Sequence, residues 1–180
     1  MITLKIKYTT SEDGFNLIEE YRKQYSSVLR YAYNRRYENI SEKDTEHQIS
    51  SLNNITLIKS YLKRCAVKNA TQLIKDGDKK QLIFGGKKNF IDRCKGKITK
   101  DKFINNRLSK LFIIGEVNCR GNRFIVINED LQSFIFKPTK NDRIVLTIDG
   151  RYKRYKSILN KLYYLQQDKE ISITYQVGRL

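Results

Sequence analysis

Between residues 85 and 123 the chain carries eleven lysines or arginines, at positions 87, 88, 93, 95, 97, 100, 102, 107, 110, 120 and 123, against the three acids Asp92, Asp101 and Glu116. That is a net charge of +8 in 39 residues. The chemistry such a stretch can do is phosphate neutralisation, in which each cation that meets a phosphate displaces condensed counterions and no bond is made or broken. Phe84, Phe90, Phe103 and Phe112 alternate with the cations, and Gly85-Gly86, Gly96, Gly115 and Gly121 punctuate them. Aromatic rings set among cations suit unpaired bases, and adjacent glycines let a backbone turn tightly beside a ligand. The implied partner is a polyanion.

Covalent and metal chemistry find no such concentration of residues. The carboxylates Glu12, Asp13, Glu19, Glu20, Asp44, Glu46, Asp130, Asp149 and Asp168 are scattered or sit at turn and capping positions, so no three of them stand out as a metal-binding set. Cys65, Cys94 and Cys119 are far apart, form no Cys-x-x-Cys, and have only His47 beside them in the inventory. This excludes zinc sites of the usual spacing and a disulfide framework. No serine elbow is present, and Gly85-Gly86-Lys87-Lys88 is not the Gly-x-x-x-x-Gly-Lys-Ser/Thr loop of nucleotide hydrolases. The expectation is a binding protein with no catalytic residue, no metal and no cofactor.

Composition agrees with binding. The 180 residues carry a formal charge of +17 and 39% apolar residues, enough for a real core and more positive than solubility requires. Twelve Tyr and eight Phe, with no Trp, supply rings for that core and for stacking. The N-terminus has no apolar run of signal-peptide length and nothing approaches a membrane span. With cysteines odd in number and far apart, this predicts a soluble, cytoplasmic protein that does not engage membranes.

The elements that must position these residues follow from periodicity. Ile2, Leu4 and Ile6 alternate with polar residues as a strand does. Thr10 and Asp13 form a capping box opening a helix to about Tyr37, with Ile18, Tyr21, Tyr25, Val28, Leu29 and Ala32 on its apolar stripe and Arg22, Lys23, Arg30 and Arg35 on the other face. A short helix with Ser41 and Asp44 at its start falls within residues 40–52, and a third runs from Asn53-Asn54 to the Asp76-Gly77-Asp78 break. Residues 99–111 suggest a brief helix. Strands are then expected at 113–119, 123–127, 133–136 and 143–149, a helix at 155–166 and a last strand at 171–177. This order reads as an α+β protein: a small antiparallel, OB-like β-barrel with an inserted helical lobe. The expected parts are a first barrel strand at 1–8, the lobe at 9–78, and a basic linker with the barrel at 79–180.

The pair Tyr33-Asn34 within Leu29-Arg30-Tyr31-Ala32-Tyr33-Asn34-Arg35, the Gly-Gly-Lys-Lys turn, the run Arg93-Cys94-Lys95-Gly96 and the later Gly121-Asn122-Arg123 occur in this order over residues 2–177. In these features the chain resembles the N-terminal half of transposon-associated TnpB nucleases and their type V CRISPR effector relatives. The resemblance implies a wedge barrel and a recognition lobe that together hold guide or scaffold RNA and a guide–target duplex. It places Tyr33 and Asn34 on the recognition-lobe helix and Lys87, Lys88, Arg93, Lys95, Arg120 and Arg123 on the segment entering the wedge. With Arg30, Arg35, Lys97 and Arg107 these are the candidate RNA-binding residues. Family members continue into a RuvC-type nuclease domain whose metal-binding acids have no counterpart here, so no nuclease activity is implied for these residues by themselves.

The functional expectation is a catalytically inert protein that captures guide or scaffold RNA, as a CRISPR inhibitor borne by a phage or plasmid or as a guide-RNA-dependent regulator. One alternative is the N-terminal part of an RNA-guided nuclease whose RuvC domain is a separate partner protein. A second is a basic DNA-binding regulator, for which no helix-turn-helix is visible.

Overall fold

The computed structural model describes residues 4–75, 81–150 and 152–178. The chain divides into two compact units, one made of Met1–Glu19 with Ile113–Leu180 and the other of the continuous segment Glu20–Phe112.

In the first unit, β1 (Tyr8–Thr9), β5 (Ile125–Ile127), β6 (Ser133–Phe136) and β7 (Ile144–Ile148) form an antiparallel sheet in the order β1-β7-β6-β5. Its register pairs Tyr8 with Ile148, Phe134 with Leu146 and Ile125 with Phe136. Strand β7 buries Ile144, Leu146 and Ile148 and exposes Val145 and Thr147, the alternation of a sheet with one dry face. Two further sheets have two strands each, β2 (Leu111–Ile113) with β8 (Tyr175–Val177) and β3 (Gly115–Glu116) with β4 (Gly121–Asn122).

None of the three sheets closes, which corrects the expected barrel. The last strand pairs with β2 instead of joining the central sheet. The opening strand is two residues long, and residues 4–7 are outside any strand; Ile2 lies outside the described residues. The β5 edge is capped by α6 (Tyr152–Gln167): Gln166, 1% exposed, accepts a hydrogen bond from Ile127 N at 3.0 Å. A covered edge needs no further strand, and strands of two to five residues cannot wrap a barrel.

Asn122 organises the small sheets. Its carboxamide is 1% exposed, donates to the carbonyls of Ile113, Ile114 and Ile173 at 3.3, 3.1 and 2.9 Å, and accepts from the amides of Phe124 and Ile125 at 2.9 and 3.1 Å. Gly115 is the close approach beside it: a Cβ there would stand 2.5 Å from Ile173 N and 2.3 Å from Ser172 Oγ. Gly115→Ala is therefore expected to lose about 1–3 kcal/mol in chemical denaturation, since backbone and not a flexible side chain must yield.

The second unit is built on helices. The long helix α1 (Glu12–Tyr37) begins in the first unit and continues into the second. Its cap is Ser11, whose hydroxyl accepts from Gly14 N at 3.1 Å, one residue later than the expected Thr10. Tyr21, Tyr25, Val28, Leu29 and Ala32 are buried as the stripe predicts. Arg22, expected on the solvated face, is instead 6% exposed and donates to the carbonyls of Ser109 and Leu108. Helix α2 (Glu42–Ser50) starts at Ser41, which accepts from Asp44 N, and α3 (Ser60–Lys75) starts later than Asn53-Asn54. Asn69 donates to the Tyr25 hydroxyl at 3.1 Å, and burial pushes that phenol's pKa well up.

Two more helices follow, α4 (Lys87–Cys94) and α5 (Lys100–Asn106). The first was not expected. Helix charge placement separates the elements into two kinds. Glu12, Asp13 and Glu42, Asp44 stand in the first turns of α1 and α2, where the helix dipole favours acids. Lys87 and Lys88 open α4, and Lys153 and Arg154 open α6, with no acid in either first turn. Each misplaced charge costs about 0.3–1 kcal/mol, so these lysines and arginines are not there for helix stability.

Candidate nucleic-acid interface

The surface that can do what the basic stretch implies is the α4–α5 hairpin of the second unit. Gly85 and Gly86 hold positive φ values of 83° and 85°, which turns the chain into α4 where a residue with a Cβ would be strained. Asn89, the buried member of α4, ties the hairpin together: its Nδ2 donates to Phe103 O at 3.4 Å and its Oδ1 accepts from Asn106 Nδ2 at 2.8 Å. Thr99 caps α5 by accepting from Lys102 N.

This arrangement puts Lys87, Lys88, Arg93, Lys95, Lys97, Lys100 and Lys102 in solvent. Among the described residues no carboxylate pairs with any of the seven. Arg93 spends one hydrogen bond on Ile98 O at 3.3 Å. Phe90 is 50% exposed on α4, three residues from Lys87 and three from Arg93, hence on the same side of the helix as both. Ile104 on α5 is 42% exposed. A ring and a branched side chain in water, set among uncompensated cations, form a surface on which a base can stack while its phosphates are held.

Arg107 ends α5 half-buried, its guanidinium 4.9 Å from the Phe103 ring centre. Its Nε is buried without a hydrogen-bond partner. Arg30 is half-buried too and donates to Ser27 Oγ at 3.2 Å; burial, then the charge of Arg107, lowers its pKa. Two guanidinium groups that repel each other in this way gain from an anion placed at them.

Of the remaining candidates, Tyr33 serves the fold, Arg35 and Arg123 are matched by acids, and Asn34 and Arg120 are exposed away from the hairpin's sequence. Tyr33 is 2% exposed, accepts from Leu82 N at 2.8 Å and packs edge-on against Phe84. Asn34 is exposed on α1. Arg35 pairs with Glu38 at 2.8 Å and lies over the Tyr31 ring. Arg120 and Arg123 belong to the first unit. Arg120 is exposed with φ 54° at the turn before β4, and Arg123 pairs with Glu116 at 2.9 Å, which raises the arginine's pKa. The Gly-Asn-Arg motif is thus a structural device in its Asn122 and Arg123. Sequence reasoning counted Lys100 and Lys102 without singling them out, and missed Asn89 because its two partners lie 14 and 17 residues away.

Among the described residues no group of three or more His, Cys, Asp or Glu could hold a metal ion, and no helix is long and apolar enough to cross a membrane. Cys65 is buried on α3, while Cys94 is exposed and Cys119 lies between. No family model matches the chain, and no curated protein or solved structure matches it.

Proposed function

We propose that the protein binds structured RNA through the α4–α5 hairpin, holding phosphates with Lys87, Lys88, Arg93, Lys95, Lys97, Lys100 and Lys102 and stacking an unpaired base on Phe90. The observation that carries this reading is the hairpin's charge: seven exposed cations with no carboxylate partner among the described residues, around a ring that is half in water. Phosphate contacts give affinity to any nucleic acid, and the stacking ring favours strands whose bases are open, which RNA loops offer and a DNA duplex does not. On the resemblance to the TnpB family, the RNA is a guide or scaffold RNA, and the biological effect is its capture.

The test is a binding titration of a stem-loop RNA and a DNA duplex of equal length between 50 and 200 mM salt. The expected result is tighter binding of the stem-loop, weakening linearly in log affinity against log salt, and on the order of tenfold weaker binding by Phe90→Ala with the salt slope unchanged. Equal affinity for both nucleic acids, or none, would overturn the reading.

A further inference from the structure

A second cationic face lies on α6, in the first unit, and the sequence stretch that pointed to RNA does not include it. Leu159 and Gln166 are buried on this helix, with Tyr155 and Leu162 half-buried on the same side. The rest of the helix surface carries Lys153, Arg154 and Lys161 on the far side and Lys156 at its flank, all exposed, and the helix contains no acid; Asp149, Asp168 and Glu170 bracket it from outside. Tyr164, 59% exposed, and Ile158, 39% exposed, stand among these cations. Tyr155 donates its hydroxyl to Lys5 O at 3.3 Å, which brings the exposed Lys5 and Lys7 to the start of the helix.

Four cations with no intrahelical acid, two of them at the end of the helix where they are least favourable, are placed for an external anion. Of the apolar and aromatic side chains of α6 that are described, Leu159 is buried and Tyr155, Leu162, Tyr163 and Leu165 are half-buried, whereas a membrane-surface helix would turn such side chains outward into lipid; Ile158 and Tyr164 are the exposed ones. We propose that this outward face of α6 is a second phosphate-binding surface for RNA, with Tyr164 as a stacking ring. The inference rests on the RNA-binding reading above and adds that the hairpin is not the whole footprint.

The experiment compares wild-type protein with Lys153→Ala/Arg154→Ala/Lys156→Ala/Lys161→Ala in the stem-loop titration, with circular dichroism to verify that the variant is folded. Should it unfold, Lys161→Glu with Tyr164→Ala takes its place. The expected result is weaker binding by about tenfold or more and, for the quadruple variant, a salt slope shallower by about 3. Wild-type binding with α6 variants unchanged in affinity and slope would overturn this inference and leave the hairpin reading standing; a wild type that does not bind RNA overturns both. Binding of the wild type to phosphatidylserine vesicles, lost in the α6 variant while RNA binding is retained, would assign the face to membranes and overturn the inference as well.

Discussion

Replacing Asn122 by alanine is expected to destabilise the protein by about 3–5 kcal/mol, a large part of the roughly 5–15 kcal/mol that holds a domain together. The carboxamide satisfies the carbonyls of Ile113, Ile114 and Ile173 and the amides of Phe124 and Ile125 at a site only 1% exposed. Alanine removes all of these hydrogen bonds at once, and each buried polar group left unsatisfied costs about 1–3 kcal/mol, less where water can enter the space left behind. Asn122→Asp keeps the two accepting positions but turns a carboxylate toward carbonyl oxygens, and is expected to be at least as damaging. Urea unfolding followed by circular dichroism measures both. A loss below about 1 kcal/mol in the two variants would show that the small sheets do not depend on this side chain.

The variant Lys87→Ala/Lys88→Ala/Arg93→Ala/Lys95→Ala is expected to behave in the opposite way, losing RNA affinity on the order of 100-fold near physiological salt without losing stability. All four residues are exposed, none has a carboxylate partner among the described residues, and two of them oppose the α4 dipole. Removing those two should leave stability unchanged or raise it by up to about 1 kcal/mol. Four phosphate contacts account for a salt slope shallower by about 3. Titrations at several salt concentrations, paired with thermal unfolding, separate the cases: an unchanged slope would mean that these cations only solvate the surface.

Local patterns in the chain reached the elements that make their own case. Strand β6 has the predicted bounds, β7 falls within the expected 143–149, α1 ends at Tyr37, and Ser41 caps α2. What stayed hidden depends on partners far along the chain. Strand β5 needs no barrel neighbour because Gln166, 39 residues on, covers its edge. Helix α4 is only eight residues long and follows a glycine pair, too short for its period to stand out, and the Asn89–Asn106 pair that ties it to α5 joins residues 17 apart. The split between β2 and β3, read as one strand over 113–119, follows from Gly115 lying against Ile173.

The candidate site was legible to a similar degree. Charge density marked the hairpin, because an excess of lysine and arginine over acids is a property of composition. It could not tell Lys87, which is exposed and unmatched, from Arg123, whose charge Glu116 balances, or from Arg35, whose charge Glu38 balances. Nor could ring count separate Tyr33, which is sealed in the core, from Phe90, which is half in water. Pairing and burial are decided by tertiary contact, and only the structure distinguishes a cation kept for the fold from one left for a ligand. The face of α6 escaped notice for a simpler reason: its apolar period identifies a core helix, and the same period draws attention away from the lysines on the other side.

The most direct measurement is ultraviolet cross-linking of the protein to a stem-loop RNA, followed by mass spectrometry of the nucleotide-bearing peptides. Adducts concentrated within residues 87–107, with Phe90 among the modified positions, are the expected result. RNA adducts that spare those residues entirely, from a protein that binds the RNA, would contradict the assignment of the α4–α5 hairpin as the RNA-binding surface.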